Sequence, residues 1–211
     1  MLRVSRAHFP VTSLGPGRRL GLWLQGCPLA CAGCMSRDTW AMEGGRAVAI
    51  GDLVELWRDA VRDGAEGLTI SGGEPLVQSG PLLEFLEGVR EVGAGQDVLL
   101  YTGFEPDELD QHQRAVVDRV DAVITGRYRA GEPTSLVWRG SANQRLTPVT
   151  ALGRARYAAC VDLAVENPPM QVSADGGRLF VIGVPPAGAL SRMERALRDR
   201  GIVFEGVAWR P

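Results

Sequence analysis

The sequence contains no lysine; every basic side chain other than two histidines is arginine. Coding bias in a GC-rich genome accounts for that absence. The formal net charge of −2 excludes a general polyanion-binding role, so no nucleic-acid partner is expected. No apolar run approaches the roughly 18–20 residues of a membrane span, so no membrane partner is expected either. Residues 1–6 (Met-Leu-Arg-Val-Ser-Arg) lack the apolar core of a signal peptide. The expectation is a cytoplasmic protein, in which thiols stay reduced. Cysteine is scarce. Of the four present, three crowd into one eight-residue window, which excludes a disulfide framework.

That window is Cys27-Pro-Leu-Ala-Cys31-Ala-Gly-Cys34. A four-iron, four-sulfur cluster offers four irons, each needing a ligand outside the cube. Three thiolates on one short loop hold three of them and leave the fourth open to an exchangeable ligand. An open position separates a site that does chemistry from one that only holds a fold. The alternative is a zinc site completed by Cys160, His8 or His112, but no second Cys pair of the usual zinc spacing is present.

At 45% hydrophobic and 23% charged residues, the 211-residue chain reads as an ordinary globular protein of one domain or slightly more. Leu20 to Gln25 reads as a buried strand running into the Cys loop. Gly51 to Arg62 has helical spacing, with Asp52 as N-cap. Leu68 to Ser71 reads as a strand ending in Gly72-Gly73, and Pro81 to Val92 as a helix. Asp97 to Thr102 is the next strand, a short helix follows from about Pro106, and Asp121 to Thr125 is another strand. This alternation predicts βα units around a parallel sheet. Thr134 to Pro148 is polar and reads as a long loop. Further on, Ala174-Asp175-Gly176-Gly177 predicts a hairpin turn, Ala187 to Arg200 a helix closed by Gly201, and Ile202 to Trp209 a final strand.

Ligands of parallel α/β sheets bind at the carboxyl ends of the strands. Four segments fall there: the Cys loop, Gly72-Gly73-Glu74-Pro75, Thr102-Gly103 and Thr125-Gly126. Each has a plainer reading when taken alone. Gly72-Gly73 could be a turn, Glu74 a solvated carboxylate, Thr102-Gly103 a strand end, Trp138 core, and Arg139 and Arg145 surface charges. Cys160, in an apolar setting, reads as a buried inert thiol, and His112 as a helix-surface residue.

Cys27, Cys31 and Cys34, followed by Ser71-Gly72-Gly73-Glu74-Pro75-Leu76, resemble the radical S-adenosylmethionine (SAM) enzymes. The narrower resemblance is to the activating proteins of anaerobic ribonucleotide reductase. It rests on Gly15-Pro16-Gly17-Arg18, Gln25-Gly26-Cys27, Gly33-Cys34, Asp38-Thr39-Trp40, Tyr101-Thr102-Gly103 and residues 138–145, and it covers residues 13 to 147. It implies a partial (β/α) barrel, with residues 1–148 as core and 149–211 as a C-terminal extension. It implies a [4Fe-4S] cluster on the three cysteines, with SAM on the open iron cleaved reductively to a 5′-deoxyadenosyl radical. Gly33, Met35, Gly72, Gly73, Glu74, Pro75, Thr102, Arg139 and Asn143 become candidates for binding SAM. In that resemblance Gly73 and Glu74 lie against its amino group. Read from the residues alone, Arg139 and Arg145, beside Asn143 and Gln144, also offer a planar fork that suits a carboxylate. Many members carry an aromatic just before the third Cys, beside adenine; here that position is Gly33.

Three roles follow. The first is an activase that makes a glycyl radical on a protein partner and draws electrons from a flavodoxin- or ferredoxin-type donor. The second is direct radical catalysis on a small molecule or peptide, with the C-terminal third helping to build the pocket. The third is a non-catalytic zinc or cluster module, which would not need Gly-Gly-Glu-Pro.

Overall fold

A computed structural model describes residues 1–93, 95–175, 177–186 and 188–207. Seven strands form one sheet. They are β1 (Leu2–Val11), β2 (Arg19–Leu24), β3 (Arg46–Val48), β4 (Gly67–Gly72), β5 (Asp97–Tyr101), β6 (Ala122–Thr125) and β7 (Arg145–Pro148). Their order is β3-β1-β2-β4-β5-β6-β7. The four central strands, β2, β4, β5 and β6, run parallel. The outer strands β1, β3 and β7 pair antiparallel. The fold is therefore mixed α/β with a central, mostly parallel sheet, and no closed barrel forms among the described residues.

Helices α1 (Ile50–Arg62), α2 (Ser79–Val92) and α3 (Gln111–Val117) connect the parallel strands. Alternation in the strands sets two faces. Leu20, Leu22 and Leu24 of β2, with Val98 and Leu100 of β5, pack on Trp57 of α1 and on Phe85 and Leu86 of α2. Trp23, Leu99 and Tyr101 point to the opposite face. There α4 (Ala151–Tyr157) covers the β5–β6 side, with Tyr157 packed edge-on against Trp138.

Past α4, the hairpin β8 (Met170–Asp175) and β9 (Arg178–Gly183) forms a separate two-stranded sheet, followed by α5 (Ala189–Arg198). The hairpin docks on the β1–β2 end of the core. Ile182 packs with Val11, Leu14 and Trp23, the Ser13 hydroxyl donates to Ile182 O at 2.9 Å, and Gln171 Nε2 donates to Pro10 O at 2.7 Å.

Several expectations change. Ala49, not Asp52, is the N-cap of α1; Asp52 lies in the first turn, where its charge suits the helix dipole. The helix expected from Pro106 begins at Gln111, capped by Asp110 in a reciprocal box with Gln113. The polar stretch from Thr134 is not all loop, because Arg145–Pro148 completes the sheet as β7. Residues 202–207 form no strand, and Ala208 and Trp209 of that expected run lie outside the described residues. So do Gly176 of the expected turn and Ala187, the expected start of the last helix. Gly201 closes α5 as expected: at φ +81° its N–H donates to Arg198 O. Among the described residues, no helix is long and apolar enough to cross a membrane.

Candidate iron–sulfur site

The Cys loop leaves the carboxyl end of β2, and the glycines of β4 seat it. Gly73 N–H donates to Leu24 O and Glu74 N–H to Gly26 O, both at 2.9 Å. A Cβ on Gly73 would stand 2.3 Å from Gly26 O, and one on Gly72, at φ +114°, 2.4 Å from Leu24 N and O. The pair lets β4 close on the entry to the Cys loop. On the other side, Gly26 N–H bonds Thr39 O and Cys27 N–H bonds Trp40 O, so the loop is held at both ends.

All three sulfurs accept main-chain N–H groups. Leu29 and Ala30 donate to Cys27, Tyr128 to Cys31, and Ser36 to Cys34 at 3.4 Å. Burial pushes the Cys27 and Cys31 thiols up, and these donors oppose it. Arg127 adds a favourable charge beside Cys31. Such donors stabilise thiolate and tune a cluster. Three thiols on one short loop are the donor set of an iron–sulfur cube, which gives each thiolate its own iron. A single zinc draws its ligands to one point at about 2.3 Å. Among the described residues, no three His, Cys, Asp or Glu side chains converge that way.

The three cysteines open into a cavity of about 1370 Å³, larger than a single drug-sized ligand fills. Gly33, Met35, Gly72, Gly73, Glu74 and Thr102 all line it. Glu74 is buried, and its carboxylate is engaged: Oε1 accepts from Leu76 N at 3.0 Å and Thr102 Oγ1 at 2.9 Å, and Oε2 accepts from Gly103 N at 2.7 Å. Burial pushes this carboxyl up to about 7, against those donors. Glu74 is a brace between two strand ends, not a solvated carboxylate.

Three candidates do not reach this cavity. Arg139 is buried, with its guanidinium donating to Cys160 O at 3.2 Å and Val161 O at 2.5 Å; it faces a smaller cavity of about 160 Å³. Neither a surface charge nor a carboxylate fork describes it. Asn143 donates to Arg127 O at 2.9 Å, and its Oδ1 is buried without a partner. Pro75 is buried at the start of a short 3-10 turn. Cys160 is only half-buried, against the β5–β6 side of the core. His112 is exposed on α3. Trp138 is core, but it also lines the cavity with φ +61°, a strained value for a bulky residue; Tyr101 Oη bonds its carbonyl at 3.1 Å.

Sequence reasoning missed other cavity residues. Arg6 and Asp38 pair at 2.5 Å, with the Arg6 guanidinium over Trp23. Tyr128 follows the Thr125-Gly126 strand end that drew attention, and neither its charge nor its spacing marks it. The whole of β9, parts of α5 and residues 203–207 also wall the cavity.

A mostly parallel α/β sheet with three thiols at its ligand-binding edge defines an iron–sulfur α/β protein. The family model for the 4Fe-4S single cluster domain matches residues 13–147, and the chain belongs to that family. Its similar relatives are anaerobic ribonucleoside-triphosphate reductase-activating proteins. The Haemophilus influenzae protein is 38% identical over 138 residues, 62% of this chain and 87% of that protein. The Escherichia coli K12 protein is 34% identical over 143 residues, 65% and 93% of the two chains. The phage T4 protein is 33% identical over 134 residues, 63% and 85%. These are the activating-protein branch that the sequence resembles. Residues 148–211 lie beyond the family-model match.

Proposed function

We propose that Cys27, Cys31 and Cys34 hold a [4Fe-4S] cluster whose open iron takes SAM, and that the protein is an activase for a glycyl-radical partner such as anaerobic ribonucleotide reductase. The observation that carries this reading is the seating of the Cys loop on Gly72–Glu74, which brings three thiols and two other strand ends to one cavity. When bound, the cluster on Cys27, Cys31 and Cys34 would supply the single electron that breaks the sulfonium C5′–S bond of SAM, with methionine as the leaving group and hydrogen-atom abstraction as the chemistry made available. The chain's residues orient and enclose. Main-chain N–H groups hold the sulfurs, Glu74 fixes Thr102 and Gly103, and Gly33, Met35, Gly72, Gly73 and Thr102 border the space for SAM. Gly73 can contact SAM only through its backbone. The partner comes from the relatives' names, and a flavodoxin- or ferredoxin-type protein completes the electron path. This reading takes residues 1–148 as a partial-barrel core and the protein as cytoplasmic. The test is the anaerobic, reduced and loaded protein mixed with SAM and the reductase: a glycyl-radical doublet by electron paramagnetic resonance is expected on the reductase.

The C-terminal third favours a second reading. In a bare activating core the cavity would lie open to a large partner. Here residues 178–186 and 203–207 wall it. Direct radical catalysis on a small molecule or peptide held against that wall accounts for the extension. Formation of 5′-deoxyadenosine without any glycyl radical on the reductase would favour this reading.

A further inference from the structure

Tyr128 lies in the loop after β6, and three contacts fix it. Its N–H donates to the Cys31 sulfur. One edge of its ring lies beside Gly33, where a Cβ would stand 3.4 Å from Cε1. The other edge lies against Gly140, where a Cβ would stand 2.9 Å from Cδ2 and 3.2 Å from Cε2. The ring spans from the Cys loop to the loop after Trp138, in a slot left by two residues without side chains. It is half-buried and lines the main cavity as well as the smaller one of about 160 Å³. The half-buried ring thus borders the cavity that the cysteines open into, and aromatic rings are what flat heteroaromatic groups stack on.

We propose that Tyr128 is the stacking platform for the adenine of SAM. The inference rests on the reading that this cavity takes SAM. The Cys loop itself offers no ring at position 33, and Tyr128 stands against that position from outside the loop. Its backbone touches the Cys31 sulfur, so a base on its ring lies beside the site that holds the methionine end of the same molecule. Stacking needs the ring and not the phenol. Leucine, of comparable bulk, fills the slot without offering a π face.

The test is equilibrium binding of SAM, 5′-deoxyadenosine and methionine to the anaerobically loaded protein. Tyr128→Phe should bind SAM within about twofold of the unmodified protein. Tyr128→Ala and Tyr128→Leu should weaken SAM and 5′-deoxyadenosine about tenfold, in the range of base–aromatic stacking, and leave methionine binding and iron content unchanged. Gly140→Ala, which pushes on Cδ2, should give an intermediate loss. Equal SAM affinity in Tyr128→Leu and the unmodified protein overturns this inference alone. No SAM binding by the unmodified loaded protein overturns the functional reading as well.

Discussion

Gly103 N–H donates to Glu74 Oε2 at 2.7 Å, so the carboxylate that follows β4 holds the turn that follows β5. Its other oxygen takes Thr102 and Leu76. Burial pushes this carboxyl up to about 7, from 4.5. Between those values the native state binds the proton and the unfolded state releases it. The contribution is full below about pH 4.5 and is lost as pH rises through 7. The urea midpoint should therefore carry a downward component from pH 5 to 8, and Glu74→Gln should flatten it. An unchanged slope in the variant would contradict the assignment.

Gly73→Ala should lower iron and sulfide uptake on reconstitution, because its Cβ would strike Gly26 O at the entry to the Cys loop. Gly80, near the start of α2, is the control. A Cβ there meets nothing within 4 Å, so Gly80→Ala should load fully and be stabilised by up to about 1 kcal/mol. Equal loading of the two variants would remove Gly73 from the site's architecture.

The parallel strands and the Cys loop were legible because each is a short apolar run ended by a glycine or a cysteine. The ten-residue β1 was not: it interleaves apolar residues with Arg3, Arg6 and His8 and contains Pro10, so it carries no clean alternation. Of the site, the cysteines, Gly72-Gly73 and Glu74 were visible as residue types. What Glu74 does was not, since its partners Thr102 and Gly103 are brought to it only by the pairing of β4 with β5. Arg139 failed for a related reason. In a polar loop an arginine reads as solvated, and its burial depends on the carbonyls of residues 160 and 161 after α4. Tyr128 shows no signal without knowledge of which glycines surround it.

Arg19 and Asp97 form a fully buried pair, at 2.8 and 3.1 Å, at the amino ends of β2 and β5, away from the cavity. Thr69 accepts from Arg19 Nε at 2.6 Å, Arg156 Nε meets Asp97 at 2.9 Å, and the Tyr157 hydroxyl donates to Asp97. Asp97→Ala strands the buried guanidinium and should cost about 3–5 kcal/mol. Denaturant unfolding measures that loss, while iron per folded chain should not change.

Ile182→Ala should loosen the hairpin, since Ile182 joins Val11, Leu14 and Trp23 and a buried Ile→Ala change costs about 2–5 kcal/mol. Limited proteolysis should then cut residues 170–207 faster, with the cluster retained. If the activase reading holds, radical formation on the reductase survives this change. If the C-terminal wall holds a substrate, turnover of that substrate falls.

The most direct test of the proposed cluster and its chemistry is anaerobic reconstitution followed by reduction in the presence of SAM. About four irons and four sulfides per chain are expected, with release of 5′-deoxyadenosine, and loss of both in Cys31→Ala. A protein that instead retains one tight zinc and no iron, or forms 5′-deoxyadenosine unchanged after Cys31→Ala, would contradict the proposal.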